Sequence, residues 1–262
     1  MTAKCLGVIP SRYASTRAPG KPLTDLHGKT LLQRVWEQAQ KAKLVTELII
    51  ATDDDRIYEC AKSFNGNVMM TGSHHATGSD RVAEVFEKRK SSGTYFDLVV
   101  NIQGDLPFIN PEVIDGAIKV LSDSPDNFGM STIATPILSE DEYLRPSAVK
   151  VALGTSGEAL YFSRSPIPFI RNHDNLKISL DQPYAFKHMG LYVFRPEVLK
   201  RLSSLPESMN EKREQLEQLR VLSNGIAIKV FVATPEMVEP SIEIDTPEDI
   251  ERARQYLRDK GF

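Results

Sequence analysis

Between residues 9 and 23 the chain reads Ile-Pro-Ser-Arg-Tyr-Ala-Ser-Thr-Arg-Ala-Pro-Gly-Lys-Pro-Leu, which gathers Arg12, Arg17 and Lys21 with the hydroxyls of Ser15 and Thr16 and the flexible Gly20. Arginine forks and lysine point charges pair with phosphate oxygens, so this stretch suits an anion bearing several phosphates. Taken alone, a solvated basic surface is the plain alternative. The spacing of a P-loop is absent, which disfavours that class of nucleotide chemistry. Further along, Asn101-Ile102-Gln103-Gly104-Asp105 offers a flexible residue beside a carboxylate, and Ile242-Glu243-Ile244-Asp245-Thr246-Pro247-Glu248-Asp249 offers another. Asp105 and Asp245 are candidates for Mg²⁺, a cation that takes oxygen ligands and commonly binds one or two carboxylates plus substrate phosphates. The competing explanation for each is a turn cap. Thr246 with Asp249 fits a capping box and Pro247 the first helical position, which leaves Asp245 outside the cap. Nothing in the sequence brings Asp105 and Asp245 together in space.

Two further sets carry polar chemistry. Thr77-Gly78-Ser79-Asp80-Arg81 opens a helix whose free N–H groups would attract an anion, with Arg81 adding charge; the alternative is an N-cap by Ser79. His74 and His75 lack partners at metal-ligand spacing and read as loop residues. In the second half, Arg164, Arg171, Lys187, His188, Tyr192, Glu217 and Gln218 are groups that could read a carboxylated, polyhydroxylated molecule. Surface ion pairs and a satisfied histidine are the plainer account of them.

Alternating strand and helix patterns must position these groups. Strands are expected at Cys5–Ile9, Glu47–Asp53, Asn67–Thr71 and Asp97–Gln103. Helices are expected at Lys29–Lys43, Asp54–Phe64, Gly78–Lys90 and Pro111–Leu121. In the first of these helices Leu31, Leu32, Val35, Trp36 and Ala39 form the inward stripe. Such alternation implies a parallel sheet covered on both faces, with its ligand loops at the strand carboxyl ends. After about Gly129 strands follow one another without helices, at Met130–Pro136, Val149–Leu153, Ala159–Ser163 and Phe186–Phe194, with an irregular stretch from Ser165 to Pro183. Helices Pro196–Leu205 and Lys212–Leu222, strand Ile226–Val232 and helix Thr246–Arg258 complete the chain. Residues 1–128 and 206–262 then form one α/β core, and 129–205 a smaller mixed-sheet extension for the second substrate and a dimer surface.

The 262 residues are 41% apolar and 26% charged, with net charge −3. That balance argues against general nucleic-acid or membrane-surface binding. No apolar run approaches a membrane span and no export signal is visible. Cys5 and Cys60 read as small buried hydrophobes without metal spacing, so a cytoplasmic address is expected.

With those residues in view, the chain resembles the 3-deoxy-manno-octulosonate cytidylyltransferase (CMP-Kdo synthetase) family over nearly its whole length. The matching stretches are IPSRYASTRAPGKPL (9–23), ATDD (51–54), TGSDR (77–81), NIQGDLP (101–107), ALYFSRSPIP (159–168), KHMGLY (187–192), LEQLR (216–220) and DTPED (245–249). The resemblance implies a glycosyltransferase-A-like nucleotidyltransferase fold, a Rossmann-like mixed central sheet flanked by helices, and a homodimer. It implies conversion of CTP and the sugar acid Kdo to CMP-Kdo and pyrophosphate, an activation step for lipopolysaccharide assembly. Carried over, Arg12 and Lys21 would hold the CTP phosphates. Ser79, Arg81 and Gln103 would line the cytidine and ribose side, and Asp105 and Asp245 would ligate Mg²⁺. Arg164, His188, Tyr192, Glu217 and Gln218 would contact the sugar acid. Catalysis would rest on Arg12, Lys21 and Asp105, with no residue assigned as general base.

One position departs from the family. Its members usually read Gln-Gly-Asp-Glu-Pro where this chain has Leu106 after Asp105. A few relatives that activate the 8-amino-3,8-dideoxy analogue of Kdo also lack that glutamate, so the 8-amino sugar is an alternative acceptor. CMP-sialic acid synthetases and sugar-1-phosphate nucleotidyltransferases share the general plan, but the 9–23 loop with LEQLR favours the Kdo group. Leu106 also leaves open a catalytically silent nucleotide-binding protein. A dinucleotide-binding module fails for want of GxGxxG after a strand.

Overall fold

A computed structural model describes residues 3–14, 19–171 and 177–261. The chain divides into two compact units, residues 1–115 with 238–262 and residues 116–237, with the division falling inside a helix. The anticipated extension 129–205 lies in the second unit, together with 206–237.

The first unit begins with β1 (Cys5–Ser11), α1 (Leu31–Ala39), β2 (Glu47–Thr52), α2 (Asp55–Ser63), β3 (Val68–Met70), α3 (Gly78–Ser91) and β4 (Leu98–Asn101), followed by α4 (Pro111–Ser122), which holds the division. The strands are parallel in the order β3-β2-β1-β4. The near-continuous burial of β1, β2 and β4 is what a sheet with both faces covered requires, while β3 at the edge is only half-buried. All five stripe residues of α1 are buried, and Thr30 caps the helix through Gln33 N. Because Ser11 pairs with Thr52 and Thr52 with Met70, the ends of β1, β2 and β3 align. Their loops therefore emerge at one edge, and that alignment positions the candidate site.

The second unit holds β5 (Phe128–Ile137), α5 (Glu140–Leu144), β6 (Lys150–Leu153), β7 (Ala159–Ser163), β8 (Ala185–Phe194), α6 (Pro196–Leu202), α7 (Met209–Glu214), α8 (Gln218–Ser223), β9 (Ala227–Val232) and all but the last residue of α9 (Pro235–Val238), where the second boundary falls. Its sheet is mixed: β5 runs antiparallel to β8 and parallel to β9, and β6 pairs antiparallel with β7 and β8. The closing helix α10 (Pro247–Asp259) belongs to the first unit.

Two expectations need correction here. The strands of the second half are not uninterrupted, because the short α5 follows β5 and buries Tyr143. The single helix expected over Lys212–Leu222 is two, α7 and α8, broken where Gln215 adopts the left-handed conformation at φ 53°. A non-glycine residue rarely takes that conformation, so no glycine marks the break. Arg220 spans it with a forked ion pair to Glu211, at 2.6 Å and 2.9 Å. Of the two free cysteines, Cys5 is buried as expected, whereas Cys60 is only half-buried. Among the described residues, no helix is long and apolar enough to cross a membrane.

Candidate active site

Past β1, Gly20 lies against Tyr13. Gly20 N–H donates to Tyr13 O at 2.9 Å, and Gly20 sits at φ 72° immediately before a 3-10 turn, Lys21–Leu23. A side chain at Gly20 would be strained in this conformation and would meet the Tyr13 ring at 3.2 Å. The Arg56 guanidinium lies 3.2 Å from the centroid of the same ring. This arrangement fixes Lys21 at the strand edge. Ser15, Thr16 and Arg17, the rest of the anticipated phosphate clamp, lie outside the described residues. Arg12, at the head of the loop, donates to Ala76 O at 2.9 Å.

Lys21 leads directly to the acidic pair. Its Nζ lies 3.1 Å from Asp105 Oδ2, 3.3 Å from Asp245 Oδ1 and 2.7 Å from Ile244 O. The two aspartates, remote in sequence, meet through the backbone: Ile244 N–H donates to Asp105 O at 3.0 Å. Ile242 and Ile244 are buried while Glu243 is exposed and Asp245 half-buried, the alternation of an extended segment docked by one face. The predicted capping box of α10 is present, with Asp249 accepting from Thr246 N–H and Thr246 accepting from Asp249 N–H. Asp249 also accepts from Asp245 N–H at 3.2 Å, which steadies the residue just before the cap. On the other side, a Cβ at Gly104 would come within 3.1 Å of Pro10 O. A side chain there would have to push the end of β1 away by a few tenths of an ångström, so glycine suits this close approach.

Carboxylate oxygens of Asp105, Glu243 and Asp245 all fall within 4.8 Å of one another. These are hard donors suited to Mg²⁺ or Ca²⁺ rather than to a soft metal. Asp105 Oδ1 is buried and has no hydrogen-bond partner among the described residues. The donor set and that orphaned oxygen fit a divalent cation.

Helix α3 is capped by Thr77 rather than Ser79, in a box with Asp80. Ser79 is buried in the first turn. Arg81 is fully buried; its Nη2 lies 3.0 Å from Asp53 Oδ2 and its Nη1 donates to Thr71. Its charge is thus matched by a carboxylate at the end of β2 instead of standing at an open helix terminus, while its Nε is left without a hydrogen-bond partner among the described residues. Gln103 Nε2 lies 3.5 Å from Asn101 Oδ1. His75, a plain loop residue by sequence, contacts Glu84 on α3. Glu84 also accepts from Gly72 N–H at 2.8 Å and pairs with Lys88 at 2.7 Å. Burial alone would raise its carboxyl, but the bonds from His75, Lys88 and Gly72 prevail and hold it at about 2. This clasp ties the loop approaching α3 to the helix.

In the second unit, His188, Tyr192 and Gln218 form one connected group. His188 Nε2 is 2.9 Å from Thr132 Oγ1, Tyr192 Oη donates to Gln218 Oε1 at 3.2 Å, and Gln218 Nε2 lies 3.5 Å from His188 Nδ1. The Thr132 hydroxyl proton goes to Leu191 O at 2.7 Å, so His188 Nε2 is the donor to that oxygen and Nδ1 is the bare nitrogen. Burial pushes the imidazole down to about 3, so it is neutral at physiological pH. A bulge in β8 opposite Thr132 and Ile133 inserts Gly190 and Leu191, and two extra residues keep His188 and Tyr192 on the same face. Their rings are 5.6 Å apart.

Arg164, just past β7, donates from Nε to Glu214 O at 2.8 Å, and its own N–H donates to Glu214 Oε2 at 2.9 Å. Glu217 precedes α8 immediately. Lys150, fully buried, donates to Arg145 O, Ala148 O and Arg164 O at 2.6–3.0 Å, its burial lowering the pKa. Glu214 and Lys150, which hold Arg164, carry no motif and were not anticipated. Neither was Glu243, although Ile-Glu-Ile-Asp shows the alternation that puts it beside Asp245.

Comparison with known proteins gives this geometry a family. The cytidylyltransferase family model matches residues 6–230. A 3-deoxy-manno-octulosonate cytidylyltransferase of Solibacter usitatus is 46% identical over 258 residues, covering 98% of this chain and 96% of the relative. Another, from Syntrophotalea carbinolica, is 45% identical over 253 residues, covering 96% and 97%. Among solved structures, a CMP:2-keto-3-deoxy-manno-octonic acid synthetase complexed with CTP superposes with TM-score 0.87 at 38% identity, over 98% of this chain and all of that one. A 4-diphosphocytidyl-2C-methyl-D-erythritol synthase from Anaerococcus prevotii, at 19% identity and TM-score 0.58 over 97% and 96%, shares the fold alone. The fold is the α/β nucleotidyltransferase type, with a mixed sheet flanked by helices. On these matches the chain belongs to the 3-deoxy-manno-octulosonate cytidylyltransferase family.

Proposed function

We infer that the protein is an enzyme that joins CTP to Kdo, releasing pyrophosphate and supplying CMP-Kdo for lipopolysaccharide assembly. The anomeric hydroxyl attacks the α-phosphorus, the bond from that phosphorus to the oxygen bridging to the β-phosphate breaks, pyrophosphate leaves with that oxygen, and the hydroxyl proton passes to water. The observation that carries this reading is the meeting of Lys21, Asp105 and Asp245 at one point, within 3.3 Å of the lysine nitrogen, in a chain nearly half identical to such enzymes.

In this reading Arg12 and Lys21 neutralise the phosphates, and such a transfer depends on positioning and charge more than on a strong base. Ser79, Arg81 and Gln103 border the nucleoside, with Arg81 Nε, unpartnered among the described residues, as a donor. Asp105 and Asp245 would hold Mg²⁺, which when bound supplies Lewis-acid polarisation of the phosphate oxygens. The linked polar face of His188, Tyr192 and Gln218, with Arg164 and Glu217, suits the hydroxyls and carboxylate of the sugar acid. Neutral His188 serves there as a fixed hydrogen-bonding group, not as a proton store. A CTP-dependent reaction also fits a cytoplasmic address, and the net charge of −3 suits neither nucleic acid nor a membrane surface as partner.

Pyrophosphate release tests the reading. Turnover is expected with CTP, Mg²⁺ and Kdo, and little without Mg²⁺ or with UTP. The 8-amino analogue of Kdo, run beside it, decides whether Leu106 marks a change of acceptor. CTP binding with no release on either sugar would identify a silent nucleotide-binding protein instead.

A homodimer completes the proposal. Leu138, Leu144, Leu160, Phe169 and Leu180 are large apolar side chains left exposed in the second unit, Phe169 by 86%. Sedimentation velocity is expected to give twice the chain mass; a monomer at micromolar concentration would refute the dimer.

A further inference from the structure

We propose that Thr132 is a positioning residue for the sugar acid: its buried hydroxyl fixes the tautomer of His188 and, through it, the way the Gln218 amide faces. The inference rests on the reading of His188 and Gln218 as Kdo-binding groups and extends it to a residue remote from both in sequence. Thr132 lies on β5, fully buried, paired with Tyr192 on the antiparallel β8. Its Oγ1 is 2.7 Å from Leu191 O, 3.3 Å from Met189 O and 2.9 Å from His188 Nε2. The first two are carbonyl oxygens, which only accept. A hydroxyl 2.7 Å from a carbonyl directs its single proton there, so Oγ1 offers His188 a lone pair and nothing else. The imidazole therefore carries its proton on Nε2.

The consequence travels in one direction. Burial keeps the ring neutral, so a proton on Nε2 leaves Nδ1 as an acceptor. The Gln218 group facing Nδ1 at 3.5 Å is then its amide nitrogen, and its Oε1 turns to the Tyr192 hydroxyl at 3.2 Å. Tyr192, Gln218, His188 and Thr132 each donate to the next, and the chain stops at the Leu191 carbonyl, which cannot reverse it. Phe162, edge-on to the imidazole at 4.9 Å, confines the ring. With the proton on Nδ1 instead, the buried Gln218 amide would have to turn over, and the sugar would meet a donor where it needs an acceptor or the reverse.

The test joins nitrogen-15 NMR of the histidine-labelled full-length protein at neutral pH to the kinetics of pyrophosphate release. His188→Gln identifies the His188 signals among those of the five histidines. Wild type is expected to show a protonated Nε2 and a bare Nδ1. Thr132→Val keeps the shape and loses the oxygen. It should move the proton to Nδ1 and raise KM for Kdo about tenfold, the effect of one mispaired buried polar group. KM for CTP should stay as it is. Thr132→Ser, which keeps the hydroxyl, should restore both the tautomer and the KM for Kdo. Thr132→Ala removes the same oxygen and takes the place of valine if that variant does not fold. A wild-type proton on Nδ1, or a valine variant that keeps its proton on Nε2, would overturn the role of Thr132. A proton that moves while KM for Kdo holds would overturn it equally, provided His188→Gln raises that KM. If His188→Gln also leaves the KM for Kdo unchanged, the sugar-site reading falls with it.

Discussion

Asp105→Asn should reduce kcat/KM for pyrophosphate release by about a thousandfold or more, the roughly 4 kcal/mol of transition-state stabilisation expected from a metal carboxylate. The fold should survive. The link that docks residues 242–245 uses the backbone carbonyl of Asp105, which the substitution leaves intact. Asparagine keeps the shape and can still accept from Lys21, but it withdraws the charge and the anionic character of the buried Oδ1. The circular dichroism spectrum and the melting temperature should therefore stay close to wild type while turnover disappears. A variant turning over within tenfold of wild type would show that Asp105 is not a metal ligand. A variant that has lost its fold would show that the carboxylate is structural.

Much of the scaffold was legible because it is written in local periodicities. The stripe of Leu31, Leu32, Val35, Trp36 and Ala39, the apolar runs ending near Pro10 and Asn101, and the Thr246–Asp249 box each depend on near neighbours in sequence. The candidate site could be read from the sequence as a set of residues, but their meeting place could not. Asp105 and Asp245 converge through one long-range backbone hydrogen bond from Ile244, and no spacing rule announces such a bond. The break at Gln215 was hidden for a related reason: the left-handed turn sits on a residue that gives no glycine signal, and the Arg220–Glu211 pair spans it from outside the break. Arg81 illustrates a further limit. By sequence it is one more cation near a helix start, yet tertiary packing buries it against Asp53 and Thr71. Burial converts a surface charge into a group whose partner must be present, because removing either half of a buried pair costs about 3–5 kcal/mol.

Lys21→Met should pull two measurements in opposite directions. Turnover is expected to fall at least a hundredfold, through loss of a phosphate-neutralising ammonium. In the nucleotide-free protein, however, Mn²⁺ affinity should rise. The ammonium stands 3.1 Å and 3.3 Å from the two carboxylates the metal would use, so it competes for the same negative charge. Methionine retains most of the stem and removes that competitor. Each carboxylate is about one-quarter exposed, so solvent screening reduces the Coulomb gain to about 1–2 kcal/mol, or roughly tenfold in affinity. On the proposed roles, phosphate oxygens that drew the Lys21 ammonium away would leave the two aspartates freer to hold a cation. Mn²⁺ affinity and turnover falling together in Lys21→Met would mean that the lysine holds the two aspartates in place rather than contending for them.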